Sequence, residues 1–116
     1  MGKSILKDKS YAFAIRIVGL YKYLCTEKKE YVLSKQVLRS GTAIGALIRE
    51  AEFGQSKPDF ISKMNIALKE ANETDYWLSI LKDTDYIDAK MYSEIEADIK
   101  ELIKMLVATV KTARNS

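Results

Sequence analysis

The chain has 116 residues, of which 47 % are apolar and 30 % charged, with a formal net charge of +3. That length suits one domain spanning 1–116, and the apolar content excludes a disordered chain. There is no His and one Cys, Cys25, which removes the commonest general base, the commonest transition-metal ligand and any internal disulfide.

Only 5 Gly and 1 Pro punctuate the sequence, so long elements are expected. The first reads as a helix over about 9–28, with Ala14, Ile17, Val18, Tyr21, Leu24 and Cys25 sharing one face. The second runs over about 34–54. Ser34 is its expected N-cap, Val37, Ile44, Ile48 and Ala51 its core stripe, and Gly54 its C-terminal cap. Ser40 and Gly41 fall on that stripe, where a Gly suits the close approach of a neighbouring helix.

The third helix is predicted over about 57–83. Ser56, Pro58 and Asp59 form its start signal, and Phe60, Met64, Ala67, Ala71, Leu78 and Leu81 its inward stripe. The fourth covers about 89–113, capped by Asp88, with Tyr92, Ile95, Ile99, Leu102, Ile103, Leu106 and Val110 inward. Nothing alternates with period two. Links of about five residues place successive helices side by side, so the fold class is all-α, an antiparallel up-down-up-down four-helix bundle.

No segment reaches the roughly 20 apolar residues of a spanning helix. The polar stretch Met1–Ser10 lacks the apolar run of a signal peptide. The expectation is a cytoplasmic protein without a membrane partner.

Apolar residues beyond the core stripes suggest a second surface. Ile66, Trp77 and Ile80 lie roughly 100° or more from the main stripe of the third helix, and Phe13 and Leu20 stand beside that of the first. These five are candidates for an oligomer interface; a tilted neighbouring helix covering them is the alternative.

Charge is uneven. Residues 1–49 carry a net +7, residues 50–101 a net −7 and residues 102–116 a net +3. In an up-down-up-down bundle, Lys3, Lys7, Lys9, Lys111 and Arg114 fall at one end, where they would form a basic rim for a phosphate backbone, without sequence readout. The alternative is a solvated surface that balances the acidic third helix.

No set of residues passes as a catalytic or metal site. Bundles that hold two metals use inward Glu with Glu-x-x-His pairs, and His is absent. Glu50 and Glu73 read instead as partners for Arg39 or Arg49. Cys25 falls on a core stripe, and Ser40-Gly41-Thr42 is mid-helix rather than a phosphate loop. The chain is therefore expected to be no enzyme and to need no cofactor.

The stretch QVLRSGTAIGALIREAEFGQSKPDFISKMNIALKEANETDYWLSILKDTDYI, residues 36–87, resembles the bacterial four-helix bundle family encoded in intervening sequences of 23S ribosomal RNA genes. Arg39, Ser40, Ile44, Ala46, Ile48, Glu50 and Gly54 match the first part of its pattern. Ala67, Ala71, Glu73, Leu78, Tyr86 and Ile87 match the second. Ala43 and Leu47 depart from it, standing where the family usually has Ser and Asn. The resemblance implies a small non-enzymatic bundle that forms a homo-oligomer, some members being pentamers. It also implies kinship with an accessory protein of diversity-generating retroelements, a pentameric barrel that works beside a reverse transcriptase. On this footing the expected function is a homo-oligomeric scaffold that binds RNA or DNA nonspecifically. The alternative is a protein-interaction adaptor using the acidic third helix.

Overall fold

The computed structural model describes residues 4–116, and these form four helices: α1 (Ser4–Thr26), α2 (Leu33–Glu52), α3 (Lys57–Asp83) and α4 (Ala89–Arg114). They run up-down-up-down in a rod of 46 × 21 × 21 Å. Each helix packs on its chain neighbours, and α1 meets α4 to close the bundle along its least closely packed side.

The starts of α3 and α4 follow their cap residues. The Ser56 hydroxyl accepts from the Asp59 amide at 3.2 Å, and the Asp88 carboxylate accepts from the Met91 amide at 2.8 Å. The start of α2 corrects the expectation of a Ser34 cap, because Ser34 is buried one residue inside the helix. Glu30 caps instead. Its carboxylate accepts from the amides of Val32, Leu33 and Ser34 at 3.1, 2.9 and 2.7 Å. Three otherwise orphaned donors are thereby satisfied, and the negative charge lies at the favourable pole of the helix dipole.

The end of α2 is also corrected. The helix stops at Glu52, Phe53 takes the C-cap position, and among the described residues no glycine has a positive φ. Gly54 matters through contact instead. A Cβ there would lie 2.8 Å from an Asp59 carboxylate oxygen and 3.1 Å from the Ala51 carbonyl oxygen.

The core joins all four helices. Ile17, Leu24, Ile44, Ile48, Leu78, Ile99 and Leu106 are fully buried, each contributing roughly 1.5–3 kcal/mol of burial. On α1 the inward face differs from the predicted one. Leu6, Ser10, Phe13, Ile17, Leu20 and Leu24 point in, whereas Ala14, Val18, Tyr21 and Cys25 are half-buried on its flank. Phe13 and Leu20 are 2 % and 5 % exposed, so they belong to the core and not to an oligomer interface. The true stripe follows spacings of three and four from Leu6, a residue upstream of the predicted helix start.

Two adjacent residues of α2 set its neighbours. A Cβ on Gly41 would stand 2.9 Å from both Cγ atoms of the buried Ile17. Next to it, the Ser40 hydroxyl accepts from Thr74 of α3 at 2.9 Å, with both side chains buried.

Two variants probe this construction. Gly41→Ala is expected to cost about 1–2 kcal/mol in urea unfolding, because overpacking against Ile17 exceeds the gain in helix propensity. At the end of α3, the Tyr86 amide donates to the Leu81 carbonyl and the Asp85 amide to that of Lys82. This closure holds Asp85 at φ 67°, a position that favours glycine. Asp85→Gly is expected to stabilise by about 1 kcal/mol and to raise the melting temperature.

Candidate interaction surfaces

Four surfaces carry the candidate residues. The first is the α2–α3 face. Arg39 donates to Glu70 at 3.2 Å and also to Glu73, and Glu73 accepts in addition from the Trp77 indole N–H at 3.0 Å. The Trp77 hydrogen bond and the Arg39 guanidinium hold the Glu73 carboxyl below its ordinary range, with partial burial opposing them. Glu73 in turn raises the Arg39 pKa. The half-buried ring of Trp77 meets Tyr76 edge-on at 5.2 Å. Glu50 points elsewhere, toward the α1–α2 groove. Ile66 is 42 % exposed and Tyr76 60 %, while Ile80 is half-buried. At 100° per residue, Ile66, Tyr76 and Ile80 span one outward arc of α3.

The second surface is the α1–α4 seam. Lys9 pairs with Glu101 at 3.3 Å, and Arg16 with Glu94 at 3.3 Å and Asp98 at 3.2 Å. All five side chains are substantially exposed, so each pair adds only about 0–1 kcal/mol.

The third is a groove of about 780 Å³ between α1 and α2. The small residues Ala14, Gly45 and Ala46 line it with the rings of Tyr11 and Phe53, and Lys7, Arg49, Lys63, Glu50 and Asp59 supply its charge. Arg49 lies over the Tyr11 ring, 5.7 Å from its centroid. Sequence reasoning passed over this site. Its signal was Phe53, a large apolar ring placed in a turn.

The fourth is the α3–α4 side. Lys111 and Arg114 border a shallow hollow with Asn65, Leu68 and Val107. Further along, Tyr92 donates to Glu96 at 2.7 Å and lies 3.3 Å from the Ser79 hydroxyl. Ser79 pulls the Tyr92 pKa down, but Glu96, burial and the charge of Asp75 outweigh it and raise the phenol. One oxygen of Asp75 meets Lys100 at 3.5 Å, whereas the other is buried without a hydrogen-bond partner.

The basic-rim candidates therefore share one end of the bundle but face different sides. Lys7 lines the α1–α2 groove, Lys9 the α1–α4 seam, and Lys111 and Arg114 the α3–α4 hollow. Lys3 lies outside the described residues. Cys25 is half-buried, 3.8 Å from the Ser34 hydroxyl. Among the described residues no group of three or more carboxylate or thiol side chains stands where it would hold a metal ion, and no helix is long and apolar enough to cross a membrane.

These features define a small all-α bundle protein with charged grooves and with large apolar side chains exposed on α1 and α3 among charged ones. The chain belongs to the 23S rRNA-intervening sequence protein family, whose profile matches residues 3–108. A solved structure from Bacteroides thetaiotaomicron, a protein of unknown function from the S23 ribosomal protein family, is 58 % identical to it. The two superpose with a TM-score of 0.94 over 96 % of this chain and 99 % of the other. No curated protein matches the chain.

The Arg39–Glu73–Trp77 cluster has a pH signature. Because the folded-state pKa of Glu73 is depressed, its contribution is fully present above the unfolded value of about 4.3 and fades as pH falls through the folded value. Glu73→Gln is expected to lose about 0.5–1 kcal/mol at neutral pH, with the gap to the parent protein closing below about pH 4 in urea titrations.

Proposed function

We propose that this chain is a non-enzymatic helical scaffold of the cytoplasm that assembles with copies of itself, as a ring of five subunits. The assembly binds RNA or DNA without sequence preference. The observation that carries the reading is the outward face of α3, where Ile66 and Tyr76 are exposed and Trp77 and Ile80 half-buried, with Lys69 and Glu73 among them. Large aromatic and aliphatic side chains on one arc are the typical core of a protein interface. Family membership supports a scaffold of the intervening-sequence type. The absence of His, and a Cys25 whose polar neighbours Ser34 and Tyr21 are not bases, support a role without catalysis. Lys7, Lys111 and Arg114 at one end supply the attraction for phosphate. The adaptor reading has less to stand on, since Glu70 and Glu73 of α3 are engaged by Arg39.

Light scattering at tens of micromolar is expected to return about five times the 13.2 kDa chain mass. The double variant Ile66→Asp, Ile80→Asp should shift the protein to monomer while circular dichroism keeps its helical signal. Binding of a labelled polyanion should weaken steeply between about 50 and 200 mM salt. A strict monomer removes the assembly, and flat salt dependence removes the nucleic-acid role.

A further inference from the structure

We propose that the α1–α2 groove is a stacking site for single-stranded nucleic acid, with Tyr11 and Phe53 receiving unpaired bases and Lys7 and Arg49 the adjoining phosphates. This rests on the nucleic-acid part of the function proposed above and narrows it to one groove and one strand form.

The groove holds about 780 Å³, within the size range of pockets that take ligands. Its two rings come from different elements, Tyr11 from α1 and Phe53 from the turn after α2, and are 56 % and 76 % exposed. Phe53 has no cation or second ring over it among the described residues, so its face is open to another planar group. Arg49 already lies over Tyr11, the arrangement by which a guanidinium joins a stack while keeping its donors for phosphate oxygens. Among the described residues, Lys7 and Arg49 make no ion pair. Of the two carboxylates in the groove, Asp59 is answered by Lys63 at 3.6 Å, which leaves Glu50 against two uncommitted cations.

Ala14, Gly45 and Ala46 add little bulk to the lining between the two rings. A duplex keeps its bases stacked on each other and offers no free ring face, whereas a single strand does. Aromatic platforms flanked by cations are how proteins hold such strands without reading their sequence.

Fluorescence anisotropy of the full chain with labelled oligouridylate, and with a duplex of equal length, tests the assignment. The single strand is expected to bind more tightly than the duplex. Tyr11→Ala and Phe53→Ala should each weaken it about tenfold, with oligomeric mass and melting temperature unchanged. Phe53→Trp should retain binding and show indole quenching by the strand. Arg49→Gln should reduce the slope of log affinity against log salt by about 0.7. If the Ala variants bind like the parent while Lys111→Gln with Arg114→Gln loses binding, the groove is overturned and the basic-end reading survives. No binding by the parent overturns both. Ala variants that dissociate the assembly yet still bind the strand assign the groove to a second copy of the chain and also overturn the proposal.

Discussion

Ile17 occupies the space that a side chain on residue 41 would fill, and the rest of the bundle is arranged around that close contact of α1 with α2. With the two helices this near, the isoleucine is fully buried and its backbone neighbours are held in register. One residue earlier, Ser40 and Thr74 share a buried hydrogen bond that ties α2 to α3. Each hydroxyl also has a carbonyl of its own helix within reach, that of Gln36 at 3.1 Å from Ser40 and that of Glu70 at 2.8 Å from Thr74, so the pair adds one polar link between α2 and α3 at no desolvation cost. Residues 40 and 41 together orient both neighbours of α2.

The other two contacts depend less on such exclusions. The α3–α4 side combines apolar packing with polar groups whose needs are unevenly met, as the unanswered oxygen of Asp75 shows. The α1–α4 side is a looser seam, where buried Phe13 and Leu102 meet beneath exposed ion pairs that add little. The closest packing thus lies about α2 and the sparsest opposite it. The two candidate surfaces for partners, the α1–α2 groove and the outward arc of α3, both border the closely packed half.

Legibility in the sequence tracked local chemistry. The α3 bounds, Lys57–Asp83, coincide with the prediction because Ser56, Pro58 and Asp59 signal a helix start by hydrogen bonding and fixed φ, independent of distant contacts. The α1 stripe was misplaced for the opposite reason. Tyr11, Phe13, Ala14, Ile15, Ile17 and Val18 put apolar groups on most sides of the helix, so periodicity alone does not choose a face; the vacancy at Gly41 does. Glu30 was equally hidden, since its capping role depends on the chain path through Lys29, held at φ 54°. The groove was the hardest feature to foresee. It brings Tyr11 together with Arg49 and Phe53, about 40 residues away in sequence, and no local pattern joins them.

The ion pairs of the α1–α4 seam have a kinetic consequence. Lys9 and Glu101 are 92 residues apart, and Arg16 and Glu94 are 78, whereas the close packing is between helices adjacent in sequence. Closing a long loop requires entropy to be lost before any contact is gained, and local topology favours fast folding. The α2–α3 hairpin, joined by the four residues 53–56, has the least chain to order before its contacts form, and the α1–α4 seam, whose partners lie near opposite ends of the sequence, has the most.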